Sequence, residues 1–137
     1  MKFVGFISLL ALSLFIVLSC RREYSLENTL AGSSTGSIKT FNGDCMPSGS
    51  SGIFKKSVAV DSFNYIFVDI NVITTGTYII KSDTVNRISF KGEGFFETTG
   101  IHTDRLIASG TPFTNGTVPY SVKYGGKKCI VNVFTTD

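Results

Sequence analysis

Beyond residue 36 the chain predicts an all-β fold, a small β-sandwich with a single core. Three observations carry this. After the N-terminal apolar run no stretch holds a 3.6-residue period for three turns, so no amphipathic helix is in sight. Short segments rich in Val, Ile, Thr and Phe recur, separated by Gly- and Asn-containing turn signals. Residues 37–137 amount to roughly a hundred, enough for one hydrophobic core and not two.

The clearest strand runs from Tyr65 to Ile73. Its even positions, Ile66, Val68, Ile70 and Val72, are apolar, whereas Tyr65, Phe67, Asp69 and Asn71 are mixed, the pattern of a sheet packed on one face. Thr74-Thr75-Gly76 then turns the chain into a strand over 77–81. Further strands are expected over 38–42, 53–59, 87–91, 93–97, 101–108, 117–124 and 128–135. The turns between them fall at Asn42-Gly43-Asp44, Ser48-Gly49-Ser50, Thr99-Gly100, Asn115-Gly116 and Gly125-Gly126. Lys91-Gly92-Glu93-Gly94 precedes no helix, so it reads as a bulge or tight turn and not as a phosphate cradle. Pro119 has no N–H to donate, which places it on an edge or on the unpaired side of its strand.

Residues 1–19 read as a leader. Met1-Lys2 supplies a positive start, and Phe3 to Leu18 carries no charge. As a helix that run is about 24 Å long, short of the ~30 Å hydrocarbon core, so a signal helix fits better than a permanent span. The run ends Val17-Leu18-Ser19-Cys20, which resembles the bacterial lipobox: an aliphatic residue three before the cysteine and a small one just before it. The resemblance implies cleavage before Cys20 and acylation of its thiol, which anchors the mature chain to a membrane. An ordinary signal peptide with an incidental cysteine is the alternative. Residues 20–36 are polar and end Ala31-Gly32-Ser33-Ser34-Thr35-Gly36, the composition of a flexible linker between anchor and domain.

Of the 13 lysines and arginines one, Lys2, leaves with the leader, so 12 remain against 10 acidic residues. That surplus is small and evenly scattered along the chain, which argues against a nucleic-acid partner. Lys127-Lys128 is the densest basic spot. With Cys20 acylated, Cys45 and Cys129 remain as an even pair with one possible connectivity, in keeping with an oxidising compartment. A metal site built on two cysteines would have only His102 as a further imidazole, so no metal and no cofactor are expected.

From about Thr40 to Val133 the chain resembles a β-sandwich repeat of surface and secreted proteins of Bacteroidetes. The matching elements, in order, are Gly43-Asp44-Cys45, Val68-Asp69-Ile70-Asn71-Val72, Thr75-Gly76-Thr77-Tyr78, Ile88-Ser89-Phe90, Gly94-Phe95-Phe96, Gly110-Thr111-Pro112, Gly116-Thr117 and Gly126 to Cys129. The resemblance implies an Ig-like antiparallel sandwich, a Cys45–Cys129 bridge between the first and last strand regions, and a structural or adhesive role without catalysis. One position departs: Asp104 stands where the family tends to be apolar, in phase with Leu106 and Ala108. A carboxylate facing inward is costly, so a frayed strand start exposed to water is the expectation there.

A search for catalytic chemistry returns little. His102 and Asp104 share a face of a strand, but no serine is placed beside them by the sequence. Glu93 and Glu97 share a face without a cleft-forming insertion, which reads as solvated surface rather than a glycosidase pair. Tyr65 and Phe67 on the polar face of the strongest strand are candidate binding aromatics, and Tyr120 and Tyr124 lie in phase near a hairpin. Asp83-Thr84-Val85 resembles the Bacteroidetes O-glycosylation site, with Thr84 as acceptor. The expectation is a non-catalytic, lipid-anchored protein of the bacterial cell envelope, at the outer membrane and facing either the periplasm or the cell exterior. The rival is a carbohydrate-binding lipoprotein of a nutrient-uptake system, which would need Tyr65, Phe67 and Asn71 exposed together.

Overall fold

The computed structural model describes residues 32–137. The leader, Cys20 and most of the expected linker lie outside the described residues. The rest is all-β, nine strands in one curled mixed sheet. They are β1 (Thr35–Ser37), β2 (Ser48–Ser51), β3 (Phe54–Lys55), β4 (Tyr65–Thr74), β5 (Gly76–Ser82), β6 (Ile88–Phe96), β7 (Gly100–Gly110), β8 (Gly116–Tyr124) and β9 (Lys127–Thr136). Their order is β1-β4-β7-β6-β5-β8-β9-β3, with β2 also on β4. All pairings are antiparallel except β3 with β9.

The period-2 pattern decides what faces inward. Ile66, Val68, Ile70 and Val72 of β4 are buried, and so are Ile88, Phe90 and Phe96 of β6, Leu106 and Ala108 of β7, and the alternate residues Val118 to Tyr124 of β8 and Cys129 to Val133 of β9. Phe90 sits at the centre, edge-on to both Phe54, 5.9 Å between centroids, and Tyr120, 4.9 Å. Such T-shaped contacts set the ring edges against the π faces.

The sheet curls until its two edges meet. β2 lies on the β4 edge and β3 on the β9 edge, yet only Gly52 and Ile53 separate them. Two residues can span no more than about 7 Å of extended chain beyond the flanking strands, so the edges lie side by side. Asn64, buried, fastens this crossing: its side-chain amide donates to the Ile53 carbonyl (2.8 Å), its Oδ1 accepts from the Asp61 N–H (3.0 Å), and its own carbonyl accepts from Ala108 N–H (2.9 Å). A second link between the edges is covalent. Cys45, on the β1–β2 connection, is disulfide-bonded to Cys129 of β9, with Cα atoms 5.7 Å apart.

The turns that hold the long strands in register carry their own chemistry. Gly125-Gly126 closes the β8–β9 hairpin with φ of 57° and 70°, the left-handed pair of a two-residue type I′ turn. Asn86 and Arg87 make the equivalent turn before β6 without glycine, at φ of 50° and 61°. Asn86 offsets the backbone strain by gripping the loop after β7: its Oδ1 accepts from the N–H groups of Phe113 (2.9 Å) and Thr114 (2.7 Å), and its Nδ2 donates to the Thr114 carbonyl (2.8 Å). Pro119 costs no ladder bond on its open side, because β8 meets β5 only through Val122 and Lys123.

Four local expectations are corrected. Residues 38–42 form a tight loop, in which Thr40 N–H donates to Asp44 O and Gly43 N–H to Thr40 O, and not a strand. Ser48-Gly49-Ser50, read as a turn, is strand β2, whose glycine leaves space for the Phe67 ring across the ladder. Of residues 53–59 only Phe54–Lys55 is strand. The two strands expected over 87–91 and 93–97 are the single strand β6, with Lys91-Gly92-Glu93-Gly94 fully extended inside it. The linker also ends sooner than its composition implies: Thr35–Ser37 pairs with β4, and Ser34 N–H donates to Thr77 O at 2.8 Å.

The bridge closes a separation of 84 residues. Loop-closure entropy gives it about 4–5 kcal/mol of stabilisation. The double variant Cys45→Ala/Cys129→Ala should therefore lose about 4 kcal/mol in urea unfolding, and the oxidised native chain should show no reactive thiol at either position.

Candidate functional site

The strongest departure from an apolar interior lies where β5 and β8 part. They pair only at Lys81–Lys123 and Ser82–Val122. Beyond that point the strands splay towards Gly76 and Gly125, and the N-terminal segment fills the gap. Ser34 Oγ and Tyr124 Oη are hydrogen-bonded at 2.8 Å, and Thr77 N–H donates to Gly32 O at 3.1 Å. Ser33, Ser34, Thr77, Tyr78, Ile79 and Tyr124 line an open depression of about 320 Å³.

Beneath it sits an acid–phenol pair. Tyr78 Oη donates to Asp104 Oδ1 at 2.9 Å. The Tyr78 ring stacks on Phe96, 3.9 Å between centroids and 14° between planes, and Phe96 in turn meets Tyr124 edge-on and His102 at a tilt. Two glycines of β6 make room. A Cβ on Gly94 would stand 3.0 Å from Tyr78 Oη, and one on Gly92 would press on Asp104 Oδ2. The Lys91-Gly92-Glu93-Gly94 glycines thus admit a polar pair into the roll, a use the sequence reading did not anticipate.

Asp104 corrects a second expectation. It lies in the middle of β7, opposite Val68, and faces inward instead of fraying into water. Burial pushes its carboxyl above the ordinary carboxylate range, while the Tyr78 hydroxyl and the Arg105 backbone N–H pull part of the way back. Oδ2 is buried and meets no donor among the described residues. Tyr78 is pushed up to about 12, first by burial and then by the carboxylate it bonds. His102, on the same strand face as Asp104, bonds elsewhere: its Nε2 lies 2.9 Å from Thr98 O and 3.2 Å from Thr98 Oγ1, tying the ring to the β6–β7 turn. The pair can therefore accept a hydrogen bond through Oδ2, but it has no activated nucleophile beside it.

The other sequence candidates scatter over the outer face. Tyr65 and Phe67 are half-buried, and neither ring offers a free platform. The Arg105 guanidinium lies over Tyr65, 4.9 Å from its centroid, and the β2 backbone at Gly49 runs against Phe67. Asn71 is exposed, so the three are not presented together. Tyr120 and Tyr124 are core residues. Glu93 is in an ion pair with Lys91 at 2.6 Å, and Glu97 is exposed just past β6. Thr84 is exposed on the β5–β6 connection, beside Asp83, whose N–H and Oδ1 both bond the Ser121 backbone. Cys45 and Cys129 form the bridge described above. Comparison of this chain with protein-family models, curated proteins and solved structures finds no match.

Raised by burial, the Asp104 carboxyl binds its proton more tightly in the folded chain than in the unfolded one. Its share of stability is thus fully present below the ordinary carboxyl range and is lost as pH rises through the raised folded value. Asp104→Asn should flatten that part of the stability–pH curve. Tyr78→Phe should cost about 1–2 kcal/mol, because Asp104 Oδ1 loses its donor. Urea unfolding across a pH series reads both.

Proposed function

We propose that this chain is an exported, lipid-anchored protein of the bacterial cell envelope whose β-domain acts as a structural or adhesive module. The observation that carries the reading is the Cys45–Cys129 bridge. Such bridges form and persist in oxidising compartments, which agrees with the signal-like run of residues 3–18 and the lipobox-like Val17-Leu18-Ser19-Cys20. Anchorage then runs through an acylated Cys20, at the outer membrane, with the residues that follow as tether.

The same reading makes the domain an Ig-like sandwich of the Bacteroidetes surface type. Two features support it. The β4–β5 corner at Thr75 takes the chain out of the β4–β7 ladder and into the β5–β6 ladder, across the curl of the sheet. The bridge joins the first and last strand regions, as the resemblance implies. A filled interior leaves the outer face as the working surface. The carbohydrate-uptake rival needed Tyr65, Phe67 and Asn71 as an open platform, and the covered rings do not favour it. Glycosylation of the exposed Thr84 is compatible with either role.

Protease treatment of intact cells tests the placement. The domain should partition with membranes and should disappear from intact cells on shaving. Recovery in the soluble fraction would contradict the anchor, and survival until the outer membrane is permeabilised would put the domain in the periplasm and contradict the adhesive role.

A further inference from the structure

The positive charges that look scattered along the sequence are gathered by the sheet. Lys81 of β5 is opposite Lys91 of β6 on one side and Lys123 of β8 on the other, and Lys123 is opposite Lys128 of β9. Their neighbours Ile80, Val122 and Cys129 are buried, so all four lysines point outward, and all four are exposed. The result is one row across four adjacent strands, about 14 Å from end to end at the usual strand spacing. Like charges directly opposite each other on a sheet are destabilising, and this row repeats that arrangement three times. Among the described residues the one ion pair is Lys91–Glu93, which neutralises a single member.

From this we infer that the row is a binding site for a linear anionic polysaccharide, its carboxylates laid across the strands. The shape favours a chain over a surface. The row is one residue wide on the convex face, and carboxylates stand near it on both sides: Glu93, two residues along β6 from Lys91, and Asp83, two residues beyond Lys81. A planar layer of anionic headgroups would meet those carboxylates, whereas a single strand passes between them. An extended pyranose chain rises by about one strand spacing per sugar and turns successive carboxylates to different sides, so it meets the row at every second or third sugar. Ser89 and Ser109, cross-strand partners one step along the same face, set hydroxyls beside the lysines. A single-stranded nucleic acid would need free rings for base stacking, and Tyr65, in line with the row beyond Ile107, has its face under Arg105.

This inference rests on the adhesive reading and gives it a partner. The test uses the full, oxidised chain and polygalacturonate as probe, with dextran, polyphosphate and phosphatidylglycerol vesicles in parallel. Lys81→Gln/Lys91→Gln/Lys123→Gln should weaken polygalacturonate binding about tenfold or more at low salt, whereas Lys39→Gln/Lys55→Gln/Lys56→Gln, equal in charge removed, should change it less than about twofold. Lys123→Gln alone, an exposed position, serves as the second variant should the triple one fail to fold, and should weaken binding about two- to threefold. Equal losses in the two triple variants, no binding by the parent chain, or tighter binding to polyphosphate or vesicles would overturn the inference. Such a failure leaves the adhesive reading to stand or fall on protease shaving of cells, a separate outcome.

Discussion

Everything in this fold depends on holding the two edges of one sheet against each other. A nine-stranded sheet with free edges would expose unpaired backbone groups on both sides and leave its concave face open to water. Here the chain crosses between edges at Gly52-Ile53, and the Cys45–Cys129 bridge crosses again through the β1–β2 connection. The bridge compensates for weak edges. β1 has three residues, β2 four and β3 two, too few ladder bonds to hold themselves in place. Cys129 is buried while Cys45 is exposed, so the bond reaches from a surface loop into the wall of the core.

Closure divides the molecule into an interior and a working surface. The interior is filled by Phe54, Phe90, Tyr120 and the aliphatic faces of the long strands, and it admits an inward-facing acid, Asp104, held by Tyr78. The pair is accommodated by small residues: Gly92 and Gly94 give up side-chain volume to it. Cohesion at this end comes from hydrogen bonds and stacked rings more than from aliphatic packing. The outer face carries what the interior cannot, a row of lysines whose mutual repulsion is tolerated because closure is maintained elsewhere.

The long strands were legible in the sequence because each buries one face against a solvated other, which writes a period of two into the residues. Ile66 to Val72 shows this most plainly, and the Gly125-Gly126 turn followed from the φ values that only glycine adopts freely. The short edge strands were not legible. Ser48-Gly49-Ser50-Ser51 has the composition of a turn, and its extended pairing is imposed by β4. Asp104 was misread because its partner Tyr78 lies 26 residues away and the room for it comes from glycines on a third strand. The lysine row was invisible for the same reason. Lys81, Lys91, Lys123 and Lys128 become neighbours only through the β5–β6, β5–β8 and β8–β9 registers, and one of these joins strands far apart in sequence.

The central claim is that the disulfide secures the edges while the long ladders stand on their own packing. Amide hydrogen exchange of the native chain before and after reduction addresses it most directly. The account predicts selective loss of protection at the edge amides Met46, Asp69 and Lys56, which donate to Ile38 O, Pro47 O and Thr136 O. The β4–β7 and β8–β9 ladder amides should keep theirs. Loss of protection in those ladders in the same step, or edge amides indifferent to reduction, would contradict it.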